Sequence, residues 1–450
     1  MRRRDLLLLG LSSAALVKVL EITSKSKLRT SASASTRAQI TVDWASQLAK
    51  STPFTFGSND YEITIPERAA DTVFQNQVRD LGIRLIRVHH ADLSDRWSNP
   101  NTKTWDITKI QAGYEVSYPH KPTIIQNIPR WPKWMKQNSA GLLDPSEYDN
   151  YATFCATLVE ILNRRLGRQI IYWEPMNELD VRYQQAGKLD QLWVIYNKVA
   201  QKMKSQDSKI KVGGPALTWD DPQTLSAFLQ ACKPNVDFIS WHRYGSGNVK
   251  DSTNQIMSFP PRYGDQVRLF RNIASQYIPE RKIPLLLGEY NINYSWQSGE
   301  NRQNTYIGAA WFASVLKNLA ESGIEMATSW HLKDQYYGMI DPQNNLRPAA
   351  IIFQWANKYL TGAVMETTSD NALVEALAVK QSQNASLLLI NKSSSTVQLT
   401  VKFTGMSAQS NNNPMFITDA NGVKNSTFSP LTLASKPLIL NPYSVVLLRV

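Results

Sequence analysis

A chain of 450 residues with 42% hydrophobic and 19% charged residues is too long for one small domain and too ordinary in composition for extensive disorder. The formal net charge is +12, but five of those charges sit in the first 36 residues, where seven Lys or Arg face two acids. The rest is spread without long basic runs, which argues only weakly for an acidic polymer as partner; with no helix-turn-helix, zinc-finger spacing or glycine-rich phosphate loop, no nucleic acid is expected.

Residues 1–36 read as an export segment. Arg2-Arg3-Arg4 precedes an apolar run from Leu6 to Val17 that is too short to span a bilayer as a mature helix. The order Arg3-Arg4-Asp5-Leu6-Leu7 resembles a twin-arginine signal, and Ser31–Ser35 offers an Ala-x-Ala cleavage site. A periplasmic or extracellular destination is expected, with cleavage and retention as an anchor both open. No other stable membrane span is expected, and the oligomeric state is not legible.

From 37 to 361 short apolar runs alternate with amphipathic helical patterns, as in parallel βαβ units. Strands are expected at Phe54–Ser58, Arg84–Val88, Thr123–Asn127, Ile170–Glu174, Ile210–Gly214, Asp237–His242, Pro284–Gly288 and Met326–Trp330. Helices are expected at Glu67–Leu81, Pro145–Leu166, Leu189–Ser205, Pro222–Ala231 and Arg302–Ser322; in the second, Tyr151, Phe154, Cys155, Leu158, Ile161 and Leu162 recur at helical spacing. Eight strands close a (β/α)8 TIM barrel, so the fold class is α/β. After Gly362 helical periodicity gives way to short alternating segments between Ser/Asn/Gly turns, an antiparallel β-sandwich over 362–450. A strand near Gln39–Asp43 is expected to join it. Cys155 and Cys232 fall on separate outer helices, so two buried thiols are expected rather than a disulfide.

The chemistry concentrates at strand ends. Glu178 follows the run Ile170-Ile171-Tyr172-Trp173, and Glu289, 111 residues later, closes Ile283–Gly288. Two carboxylates at the carboxyl ends of barrel strands suit glycosidic cleavage, which needs one to protonate the departing oxygen and one to meet the positive sugar carbon. Four of the five histidines (His89, His90, His242 and His331) also fall at expected strand ends. Histidines from separate strands, with no i, i+4 pair and no Cys cluster, lack metal-ligand spacing, so no metal and no cofactor is expected. No Gly-x-Ser-x-Gly elbow supports a serine hydrolase.

With Asn177-Glu178 ending strand four and Glu289 ending strand seven, the chain resembles the clan A retaining glycoside hydrolases. Ile86-Arg87-Val88-His89, Pro129–Met135, Ser240-Trp241-His242-Arg243-Tyr244 and the ending Leu440–Val446 make it most similar to family 39, which includes β-xylosidases, α-iduronidases and bacterial exopolysaccharide hydrolases. The likeness runs from residue 38 onward and departs at Met176, where a Trp is commoner, which leaves the sugar open. It implies a retaining O-glycosyl hydrolase acting on a polysaccharide or oligosaccharide, such as an exopolysaccharide, with Glu289 as nucleophile and Glu178 as acid/base. Arg87 and Tyr244 would sit beside the nucleophile, and Asn177 would bind a sugar 2-hydroxyl. His89, His242, Trp131, Trp241, Trp296 and Trp330 are candidate substrate or supporting residues, each weighed against core packing. Glu174 reads as a brace through an ion pair, and Asp92, Asp95, Asp334 and Asp341 as loop residues or hydroxyl contacts. The rival reading is a carbohydrate-binding protein on a barrel that no longer cuts.

Overall fold

The computed structural model describes residues 36–450 apart from 116, 296–299, 383, 407–411 and 434, and the side chain of residue 69. The export segment lies outside the described residues, as do Trp296 and most of the loop expected at Ser407–Asn413. Residues 35–450 form one compact unit. Within the described residues no helix is long and apolar enough to cross a membrane.

Eight parallel positions build a barrel: Gly57–Asp60, Leu85–Val88, Thr123–Ile128, Tyr172–Pro175, a fifth strand in two pieces, Ile239–His242, Leu285–Glu289 and Met326–Ser329. The fifth is broken at Gly213 into Lys211–Val212, which pairs with the fourth strand, and Gly214–Leu217, which pairs with the sixth. The two pieces are the ends of one nine-segment sheet order, so their continuity closes the ring. The break falls at Gly213, where a Cβ would meet the Phe238 ring at 2.3 Å, so only glycine fits.

Several element bounds differ from expectation, each for a local reason. The first barrel strand starts at Gly57, not Phe54, because Pro53–Phe56 coil into a 3-10 turn capped by Thr52. The helix expected over Glu67–Leu81 is two, Pro66–Ala69 and Thr72–Asp80; the carboxylate of Asp71 accepts from the amide of Phe74 and starts the second. Pro145–Leu166 ends in a π-helical turn, Glu160–Arg165. Sequence periodicity missed the helices Ile107–Glu115, Pro261–Tyr277 and Pro348–Tyr359. Cys155 and Cys232 are buried free thiols on the helices Tyr148–Val159 and Pro222–Cys232.

The carboxyl-terminal part is a single curled sheet of nine strands rather than two stacked sheets. Thr36–Ser51 is a sixteen-residue strand inside it, antiparallel to Gly362–Ser369 and parallel to Val397–Thr404, so the sheet is not wholly antiparallel. Alternation along Ala385–Asn391 decides what each face covers. Leu387 and Leu389 enter the sheet's own core, with Ile40, Val42 and Leu448. Leu388 and Ile390 face the barrel's core. The helix Tyr306–Ser322 lies between barrel and sheet and is therefore buried on nearly every side. Its Ser314 hydroxyl donates to Glu375, which also pairs with Lys392 at 2.6 Å.

Gly57 sits where three strands crowd: a Cβ would lie 2.6 Å from the carbonyl oxygen of Leu85 and 2.9 Å from that of Ala327. Neither backbone can yield without opening the ladder. Gly57→Ala is expected to cost about 2 kcal/mol or more, read as a lower midpoint in thermal or urea denaturation; an unchanged midpoint would mean the strands do not approach this closely.

Candidate active site

The barrel interior near the carboxyl ends carries polar residues instead of the usual branched aliphatics. Strand pairing sets Asn59 beside Arg87, Asn127 beside Glu174 and His242 beside Glu289. All six are buried. A guanidinium with no exposure is tolerable only if its donors are answered by acceptors. Arg87 meets that demand. Its Nε donates to Glu174 Oε2 at 2.7 Å, its Nη1 to Asn59 Oδ1 at 3.0 Å and Glu289 Oε1 at 3.2 Å, and its Nη2 to Asn177 Oδ1 at 2.6 Å. Burial pulls the guanidinium toward neutrality, but Glu174 and Glu289 outweigh it and hold Arg87 above its usual value. Glu174 is thus a brace, and Asn127 ties it further by donating to its Oε2 at 2.8 Å.

Glu289 ends the seventh strand and is buried. Arg87 holds one carboxylate oxygen, and the Tyr244 hydroxyl donates to the other at 2.7 Å. Glu178 reaches the same space from a different kind of position. Its strand stops at Pro175, and Met176 and Glu178 adopt positive φ of 77° and 53°. The expectation that Glu178 closes a strand is therefore corrected: it stands on a tight loop, latched where its amide donates to the carbonyl of Ala216 at 2.9 Å. Such backbone is uncommon for a side-chain-bearing residue and is held here by its surroundings.

His242 links the two carboxylates. Its Nδ1 lies 2.9 Å from Glu178 Oε1 and 3.7 Å from Glu289 Oε1. One ligand atom from each of the three residues falls within 4.8 Å of the others. That spacing would admit a cation, but the donor set fits one poorly. A guanidinium already occupies Glu289, and Tyr244 donates to its second oxygen.

The remaining candidates divide. His89 gives Nδ1 to Asn127 Oδ1 at 2.7 Å, and burial, followed by the Arg87 charge, holds it well below the usual imidazole range, hence neutral. Trp330 lies in a ring cluster with His89, Tyr61 and His331, at centroid distances of 5.5, 5.2 and 4.9 Å. Trp131 is not a sugar platform: it is buried, edge-on to Tyr151 and Tyr183. Trp241 is likewise spent on Phe270, because strand alternation turns it outward where its neighbour His242 turns in. Trp296 lies outside the described residues. Asp92 and Asp95 pair with Arg130 and Lys133, and Asp341 closes a turn onto the amides of Gln343 and Asn345. Asp334 accepts from three successive amides, Tyr336 to Gly338.

Sequence reading did not single out Asn59, Asn127, Tyr61 or Asp180. The two asparagines carried a signal, since a polar amide closing a buried strand needs partners inside. At the rim, between the loops after the first and eighth strands, a groove of about 570 Å³ is lined by Glu62, Arg68, Asp71, Lys333, Asp334 and Tyr336. It does not include Glu178 or Glu289.

Comparison with known proteins agrees with this architecture. A sequence model described as "Glycosyl hydrolases family 39" matches residues 136–344, a span holding Asn177, Glu178, His242, Tyr244 and Glu289 but not Arg87 or His89. A β-xylosidase of Geobacillus stearothermophilus is 25% identical over 215 residues, 44% of this chain and 41% of that protein. The match thus spans less than half the length of either. A monomeric β-xylosidase from Caulobacter crescentus CB15 superposes with a TM-score of 0.67 at 17% identity, over 91% of this chain and 99% of the other. The family 39 enzyme from Xanthomonas axonopodis pv. citri gives 0.65 at 17%, over 92% and 97%. A family 51 α-L-arabinofuranosidase from Bifidobacterium longum gives 0.69 at 15%, over 92% and 100%. At these identities the structures speak for the fold, while the family match falls on the stretch that carries the two glutamates. The chain thus carries a stretch similar to glycosyl hydrolase family 39 over residues 136–344, on a fold it shares with enzymes of families 39 and 51.

Proposed function

We propose that the protein is a retaining β-type glycosidase that cleaves a polysaccharide or oligosaccharide by double displacement. The observation that carries this reading is the convergence of Glu178 and Glu289, whose nearest carboxylate oxygens lie within 4.8 Å together with His242. Retaining enzymes hold their carboxyl groups roughly 5 to 5.5 Å apart, too close for an intervening water, so one attacks carbon directly.

Glu289 takes the nucleophile's part. Arg87 and Tyr244 keep its charge on the oxygens and fix their direction toward an anomeric carbon. Glu178 is the more exposed of the two, its side chain 17% accessible against 1%, as suits a group that must reach the leaving oxygen and later a water. In the first step a Glu289 oxygen bonds to the anomeric carbon, the glycosidic C–O bond breaks, and the leaving oxygen takes the Glu178 proton. In the second, Glu178 removes a proton from water, the hydroxide attacks the same carbon, and Glu289 departs as carboxylate. Asn177 gives its oxygen to Arg87, so its amide N–H groups remain to hold a sugar 2-hydroxyl.

The substrate proposed is a glycan outside the cell, such as an exopolysaccharide, reached through the export signal of residues 1–36. Screening plant and bacterial polysaccharides, with product anomers followed by NMR, tests both parts: release of the β-anomer first is expected, and saccharide bound without cleavage over days would favour the binding-protein reading.

Glu289→Gln is expected to lose at least ~10³-fold in kcat. Azide should restore turnover to Glu289→Gly and yield the glycosyl azide of inverted configuration; undiminished activity in Glu289→Gln would remove the nucleophile assignment. Glu178→Ala should behave differently. Its kcat/KM is expected to fall about 10² to 10⁴-fold on a sugar leaving group, yet far less on a dinitrophenyl glycoside that needs no proton. Equal losses on both substrates would show that Glu178 is not the acid.

A further inference from the structure

Two contacts join the loop that carries Glu178 to the end of the fifth strand and the loop after it. One is the amide of Glu178 on the Ala216 carbonyl, at 2.9 Å. The other lies two residues along on both sides: Asp180 Oδ1 accepts from the Thr218 amide at 3.0 Å and from its hydroxyl at 2.8 Å. Asp180 is 4% exposed and opens the short helix Asp180–Gln185. Nothing in that helix's own needs calls for a buried carboxylate aimed across at a neighbouring loop. The two rungs add to the bonds at Met176 and Ala216 that hold a backbone with positive φ at Met176, Glu178 and Ala216.

We propose that Asp180 is a positioning residue for the acid/base, fastening the Glu178 loop to Thr218 and keeping a second negative charge beside Glu178. The inference rests on the glycosidase reading above and deepens it. Burial pushes the Asp180 carboxyl up to about 6, against the two Thr218 donors, and Glu178 pushes it the same way as burial does. Asp180 therefore gains its charge as pH rises through the range in which a general acid must still hold its proton. A neighbouring anion makes that proton harder to lose. Among the described residues, His242 from the sixth strand and Glu289 from the seventh also face Glu178. Asp220, on the Thr218 loop, is paired with Arg243, and Arg182, on the Asp180 helix, interacts with Arg130 and Tyr183.

The test is the pH profile of kcat/KM for wild type, Asp180→Asn and Asp180→Ala, with thermal midpoints alongside. Asn keeps an acceptor for Thr218 but not the charge, so its alkaline limb should move to lower pH by roughly half to one unit. Ala loses clamp and charge, and its kcat should fall about 10 to 100-fold with KM changed less than about threefold, most of the loss being recovered in Asn. An Asn profile superimposed on wild type overturns the proposal, as does an Ala variant as fast as wild type or a loss that Asn does not rescue. Should the Ala variant fail to fold, the Asn profile alone decides. Wild type that cleaves no glycan sinks the glycosidase reading, whereas an active wild type with an unmoved Asn limb sinks only the role of Asp180.

Discussion

One buried cation organises the centre of this protein. Arg87 has no solvent contact and touches Asn59, Glu174, Asn177 and Glu289, groups from the first, fourth and seventh strands and the loop after the fourth. Withdrawing a guanidinium from water costs several kcal/mol, and only good geometry with anionic partners offsets that cost. The arrangement is therefore nearly all-or-none: with one carboxylate misplaced, the charge is stranded. This coupling makes the direction of the Glu289 carboxylate a property of the whole barrel interior instead of a local rotamer choice. Glu174, which makes no approach to the reacting space, earns its place by neutralising the second half of the same cation.

The two reacting carboxylates are held by different means, and their chemistry asks for different means. A nucleophile should be immobile, and Glu289 sits on a strand end between an arginine and a tyrosine hydroxyl. An acid that later acts as base must face water and leaving group alike, and Glu178 stands on a loop with greater exposure. The loop is kept in an uncommon backbone shape by bonds to the strands on either side, at Ile128 and Ala216, and to the loop after the fifth, at Thr218. His242 faces both carboxylates from the sixth strand, so the distance between them depends on the pairing register of strands six and seven.

The carboxyl-terminal sheet contributes rigidity from behind. Its longest strand comes from the chain just before the barrel, and its inner face seals the helix Tyr306–Ser322. Because strand side chains alternate, one segment such as Ala385–Asn391 serves two cores at once. The sheet and barrel therefore share apolar surface rather than meeting at a thin polar seam.

Much of this was legible in the chain itself. Apolar runs of strand length alternating with helical periodicity determined a barrel, and polar residues at the ends of those runs marked the face where chemistry gathers. The pair Glu178 and Glu289 stood out because each follows such a run. Other features depended on contacts far apart in the chain. Whether a strand tryptophan faces sugar or core turns on a one-residue register, which is why Trp241 proved to be a packing residue, while Trp131, in the loop after the third strand, is folded back onto Tyr151 and Tyr183. At the break in the fifth strand Phe238 leaves Gly213 no room for a Cβ, and the carboxyl-terminal sheet takes in a strand from far earlier in the chain, with Ile40 opposite Ser369, 329 residues later. Local pattern determined which elements form, because propensity and periodicity act over a few residues. Only the tertiary fold decided which carboxylate meets which cation, because burial and charge pairing arise when distant strands close on one another.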